Sequence, residues 1–201
     1  MTNKLKFTIA DYYTLTGLLF AWYGIILLIE GSTNIAIVMV MIAFVFDLLD
    51  GFTARKISTE SKFGRELDSY VDIIIYLVFS VLLFHLYLSP NLLVSIVVGF
   101  MILGFGGLRL IRFNSEGIKQ QNGKDYYRGL TVVHILFLTL ICYFLSQFTN
   151  YLIGYLPALL LIVVSPFMLS NYRSYKTTNY WLFAFVIISI IVTSLLLNYA
   201  N

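Results

Sequence analysis

The sequence predicts an all-α fold: a polytopic transmembrane helical bundle of about six to seven spans. Three observations carry that prediction. Of 201 residues, 60% are hydrophobic and only 11% are charged, where a soluble domain carries about 25% charged residues. Apolar runs near the ~20 residues needed to cross a bilayer recur along the whole chain. The 13 lysines and arginines all fall on one side of the membrane if seven spans are drawn, and that asymmetry orients a membrane protein. So little polar sequence is left over that residues 1–201 read as a single integral membrane domain.

Taken in order, the spans are expected at roughly 12–29, 34–52, 64–87, 91–112, 129–147, 151–170 and 179–198. The opening MTNKLKFTIADYYTLTG does not read as a cleaved signal peptide, because its apolar run starts after Asp11 and lacks a small-residue cleavage site. Short polar stretches, EGST, LSPN and QFTN, read as tight reversals between antiparallel helices. Longer polar links are expected at 53–63, 113–128 and 171–178, on the same side as the N-terminus. The charge bias makes that side cytoplasmic and puts the C-terminus outside, and the protein is expected in the cell membrane. The net charge of +3 is too small to suggest a nucleic-acid partner. Cys142 is the lone cysteine, so no intrachain disulfide forms, and it reads as a small packed residue.

Against this apolar background, four aspartates crowd one segment. A carboxylate at the centre of a membrane helix costs about 3 kcal/mol or more, so such residues are rare and mostly functional. Asp47 and Asp50 are three apart near the end of the second span, which puts them on one helix face. Gly51 and Ala54 keep the adjoining surface small, and Arg55 follows at the water boundary. Gly64, Asp68 and Asp72 recur every four residues and share a face of the third span. Two antiparallel helices joined by the 53–63 link can turn both faces toward each other. The product is a four-carboxylate cup of hard oxygen donors, suited to one or two divalent ions such as Mg²⁺, Mn²⁺ or Ca²⁺. A pair of such ions commonly clamps a phosphate or pyrophosphate for in-line displacement. The competing reading pairs the acids with Arg55, Lys56, Lys62 and Arg65 in a helix-end salt-bridge network.

The segment resembles the signature of the CDP-alcohol phosphotransferase family, D-x-x-D-G-x-x-A-R, eight residues, then G-x-x-x-D-x-x-x-D. Here it runs Asp47, Asp50, Gly51, Ala54, Arg55, then Gly64, Asp68 and Asp72, with every fixed position matched. The resemblance implies a membrane enzyme that moves a substituted phosphate from a CDP-linked lipid or alcohol to a hydroxyl and releases CMP. It implies that Asp47, Asp50, Asp68 and Asp72 hold two Mg²⁺ or Mn²⁺ ions, that Asp72 is also the general base, and that Gly51, Ala54 and Arg55 lie near the cytidine and its phosphates. Gly64 keeps the cup open to that ligand. Family members often carry P-N-x-x-T at the start of the first span. The matching stretch here is Ala10 to Thr14, so Thr14 fits and Asp11 replaces Asn. Asp11 and Thr14 are therefore expected to contact the CDP-lipid, although Asp11 also suits a helix cap. The resemblance further implies a homodimer.

The acceptor rests on a second stretch, GGLRLIRFN, Gly106 to Asn114. Arg109 and Arg112 are three apart and share a face, ready to bind an anionic group such as an amino-acid carboxylate, or to act as cytoplasmic anchors. The stretch resembles the phosphatidylserine synthase branch of the family, which implies serine as acceptor. The match is incomplete at Gly129–Leu130–Thr131–Val132–Val133, where that branch often shows G-L-P-x-P. Inositol phosphate or glycerol phosphate would call for a denser basic pocket. A cation transporter would need acids continuing across the membrane, where only Glu30 is found, in a turn.

Overall fold

The computed structural model describes residues 7–57, 61–117, 119–121, 124–148, 155–175 and 180–200. Within them the chain runs α1 (Ile9–Ile29), α2 (Thr33–Ile57), α3 (Lys62–Leu88), α4 (Leu92–Glu116), β1 (Lys119–Gln121), β2 (Lys124–Arg128), α5 (Val133–Phe148), α6 (Tyr155–Leu169), β3 (Arg173–Tyr175) and α7 (Tyr180–Ala200). α1, α2 (to Ala54), α3 and α4 are long and apolar enough to cross a membrane, while Val133–Gln147, Tyr155–Leu169 and Ala184–Tyr199 are shorter apolar helices. This is a multi-pass membrane protein. Large side chains such as Leu93, Phe100, Ile111 and Trp181 are exposed along these helices, a pattern that suits lipid rather than water.

The described residues gather into two compact units, Met1–Val71 with Val186–Asn201, and Asp72–Phe185. In the first, α1 and α2 form a hairpin. Gly31 adopts φ +88° at its turn. The amide of Ser32 donates to Leu27 O (2.8 Å) and that of Gly31 to Leu28 O (3.2 Å). This is the Schellman pattern, which satisfies the last carbonyls of α1. Gly24 lets the helices touch, since a Cβ there would lie 3.1 Å from Ala36 O. Phe20 stacks on Phe46 at 5.5 Å, and Tyr13 meets the same ring at 6.3 Å.

The second unit has a core of Ile75, Tyr76, Leu77, Phe79, Leu83, Phe84, Ile102, Leu110, Ile135, Leu136 and Met168, all buried. α3 turns to π geometry at Ile73–Val78 and again at Phe84–Leu88. Gly106 of α4 accepts Leu77 at close range, for a Cβ there would meet its Cδ1 at 2.5 Å. Two buried hydroxyls are satisfied inside their own helices, Thr139 on Ile135 O at 2.8 Å and Ser165 on Leu161 O at 2.7 Å.

The polar links hold more structure than the sequence reading gave them. β1, β2 and β3 form a three-stranded antiparallel sheet in that order, with Lys119 opposite Tyr126 and Tyr127 opposite Ser174. The fifth helix starts at Val133 rather than 129, because Gly129 takes φ +76° and its amide donates to Tyr172 O at 2.7 Å. A left-handed residue cannot belong to a right-handed helix.

Candidate active site

Asp47 and Asp50 lie on α2, in its last three turns, and Asp68 lies on α3. Each offers a carboxylate oxygen, and the three atoms lie within 4.8 Å of one another. Ligands on opposite sides of a divalent ion, each 2.0–2.6 Å from it, are separated by about 4–5 Å. One cation can therefore touch all three, and the all-oxygen donor set fits a hard metal. Asp50 is buried, and Asp47 and Asp68 are half-buried.

Asp72 sits one helical turn beyond Asp68, half-buried, where α3 passes from α to π geometry. Short π segments inside helices are frequent at functional sites. Of the basic residues of the 53–63 link, Lys62 pairs with Glu66 at 3.8 Å, and Lys56 lies over the Phe52 ring at 5.8 Å. The Arg55 side chain and residues 58–60 lie outside the described residues.

Around the cluster, Thr14 donates its hydroxyl to Asp50 Oδ2 at 2.5 Å, and both residues are buried. Asp11 closes a capping box at the start of α1. Its Oδ2 accepts from the Thr8 amide (2.6 Å) and hydroxyl (2.9 Å), and its own amide donates to Thr8 Oγ1 (3.3 Å). The helix-cap alternative for Asp11 is thus realised. Gly64 permits a close approach here, because a Cβ would lie 3.1 Å from Asp11 Oδ1. Gly51 and Ala54 are half-buried on α2.

In the second unit the two arginines of α4 part company. Arg109 is buried, with its guanidinium 5.4 Å from the Phe113 ring. Arg112 donates through Nη1 to Leu169 O (2.7 Å), and through Nη2 to Arg128 O (2.9 Å), Met168 O (3.1 Å) and Ser170 O (3.4 Å). It caps the carbonyl end of α6, where a cation is favoured, and ties that end to the β2 strand. His134 bonds Thr131 Oγ1 at 2.7 Å at the start of α5.

A sequence model of CDP-alcohol phosphatidyltransferases matches residues 7–189. The chain belongs to the CDP-alcohol phosphatidyltransferase family. It is an enzyme of that family, and α2 and α3 bring Asp47, Asp50 and Asp68 together. Its relatives include an archaetidylserine synthase of Methanothermobacter thermautotrophicus, 30% identical over 85% of this chain and 72% of the relative. A CDP-diacylglycerol–serine O-phosphatidyltransferase of Methanocaldococcus jannaschii is 29% identical over 86% of this chain and 76% of its own. The Helicobacter pylori protein of the same name is 29% identical over 77% of this chain and 67% of its own.

Proposed function

We propose that this phosphatidyltransferase moves a phosphatidyl group, or its ether-lipid equivalent, from a CDP-lipid to the hydroxyl of L-serine and releases CMP. The observation that carries this reading is the cluster of Asp47, Asp50 and Asp68 inside the complete family motif, in a chain whose relatives are named for serine transfer.

Asp47, Asp50, Asp68 and Asp72 are the residues that would hold two Mg²⁺ or Mn²⁺ ions. Bound there, the ions supply positive charge against the pyrophosphate and the departing CMP. Asp72 takes the proton of the serine hydroxyl. The freed oxygen bonds to the lipid-bearing phosphorus, and the bond from that phosphorus to the CMP oxygen breaks. Arg55 offers paired hydrogen bonds to the phosphates, while Gly51, Ala54 and Gly64 leave room for the nucleotide. Of the two expected serine contacts, Arg109 is assigned to the carboxylate. Arg112 shapes the backbone nearby, since both its terminal nitrogens already donate to carbonyls. The one-sided distribution of the 13 basic residues supports a site that faces the cytoplasm, and the family resemblance supports a homodimer in the cell membrane.

Purified protein supplied with Mn²⁺ and labelled CDP-diacylglycerol is expected to release CMP only when serine is added. Release with inositol phosphate or glycerol phosphate, and none with serine, would overturn the acceptor assignment.

A further inference from the structure

We propose that Thr14 is a positioning residue for Asp50, holding one carboxylate oxygen so that the other is presented to the metal. This rests on the reading of Asp47, Asp50 and Asp68 as a divalent-cation site. It also replaces the expectation that Thr14 contacts the CDP-lipid.

Thr14 Oγ1 lies 2.5 Å from Asp50 Oδ2 and 3.1 Å from Ala10 O. A hydroxyl has one proton and favours one acceptor at a time. The shorter contact is to the carboxylate, where the bond is charge-assisted and stronger. Ala10 O, one turn back along α1, marks the rotamer in which a helical threonine sits against its own backbone. A helical threonine has two main χ1 rotamers, and the contacts to Ala10 O and Asp50 Oδ2 select one of them, so Oγ1 is a fixed post. The post and its target keep their spacing because α1 and α2 are locked together by the Phe20–Phe46 stack and the close approach at Gly24.

The target needs such a post. Rotation about the last torsion of an aspartate is broad and nearly free. A carboxylate that must swing into place loses that freedom when it binds an ion, and one already held does not. Hydrogen-bond partners of metal ligands matter in general for this reason, and losing one typically weakens metal affinity 10- to 100-fold. Thr14 is 4% exposed and Asp50 5%, so bulk water cannot easily replace the lost donor. The same burial and the committed proton leave Thr14 little capacity to read a nucleotide.

The test measures metal binding on the full chain in detergent, by Mn²⁺ titration followed by electron paramagnetic resonance, with neither CDP-lipid nor serine present. Thr14→Val keeps the shape and removes the hydroxyl; Thr14→Ser keeps the hydroxyl. Thr14→Val should weaken Mn²⁺ binding about 10- to 100-fold, with Thr14→Ser near wild type. In turnover, Thr14→Val should need more Mn²⁺ for half-maximal rate, with an unchanged KM for CDP-lipid once Mn²⁺ is saturating. Wild-type Mn²⁺ affinity in Thr14→Val would overturn the positioning role and leave the metal site standing. A raised CDP-lipid KM at unchanged Mn²⁺ affinity would also overturn it, in favour of a nucleotide contact. If wild-type protein binds no Mn²⁺, or Asp50→Asn binds it equally well, the metal-site reading fails and this role fails with it. Should Thr14→Val not fold, Thr14→Ala against Thr14→Ser makes the same comparison.

Discussion

Asp47–Asp50 on α2 and Arg109–Arg112 on α4 look alike as sequence: two like charges three apart near the end of an apolar helix. Their fates differ. The aspartates converge with Asp68, from another helix, on a space one cation can fill. Of the arginines, one is buried on an aromatic ring and the other is bound to four backbone carbonyls. The difference follows from donor chemistry. An ionised carboxylate only accepts hydrogen bonds, and the amides inside a membrane helix are already donated to its own carbonyls. Gathered carboxylates therefore call for a cation from outside. An arginine only donates, and every helix ends in unsatisfied carbonyls, so the fold itself can complete it. Acids at such positions point to a ligand more reliably than arginines do.

The largest effect should come from the acids. Asp68→Asn and Asp72→Asn are expected to lower CMP release by about 10³-fold or more, while size-exclusion and thermal-melting profiles stay those of wild type. A matching loss of stability would make the acids structural and erase the contrast with the arginines.

Next comes Gly129. Its φ of +76° is strained for any other residue, and a Cβ would lie 2.1 Å from Met168 O. Gly129→Ala should cost about 3 kcal/mol or more, the upper end of the strain of a left-handed residue with the clash added. The yield of monodisperse protein and its melting temperature report this. A normal melting temperature would mean that the turn joining β2 to α5 is soft and that Arg112 caps a movable end.

Arg112→Ala should follow, at about 3 kcal/mol of stability. Arg112→Lys should recover part of that, since a lysine can reach some of the carbonyls without the planar fork. Thermal unfolding in detergent checks it. A stable Arg112→Ala protein with a raised serine requirement would return Arg112 to the substrate.

The smallest of the four is Arg109→Ala. Losing one charge-assisted contact of about 1.5–3 kcal/mol should raise the KM for serine about 10- to 100-fold. The KM for CDP-lipid should stay within a few-fold of wild type, since Arg109 is assigned only to serine. Steady-state kinetics with each substrate varied in turn separates the two. An unchanged serine KM would put both arginines of the pair in the architecture.

Much of the fold was legible because its signals are local. Apolar runs and turn residues marked the helices to within about five residues, the largest misses being the late ends of α2 and α4 and the late start of α5. The alternative role of Asp11 as a helix cap was also legible, since Thr8 lies three residues away in the capping-box spacing. The pairing of β1 with β2 joins stretches a few residues apart in the 113–128 link, and that closeness in sequence is itself a signal. The pairing of β2 with β3 had no such signal, because its strands lie far apart in the chain. The bond from Thr14 to Asp50 and the carbonyls around Arg112 were hidden for the same reason.

By itself, then, the sequence determined the membrane setting, the helices and the identity of the clustered acids. Hydropathy and helical spacing act over a few turns and need no knowledge of what lies opposite. Only the tertiary structure decided which aspartates share a space, which hydroxyl steadies one of them, and that Arg112 completes a helix end. Each of those depends on a distance between atoms remote in the chain, and a hydrogen bond is made or lost within a few tenths of an ångström.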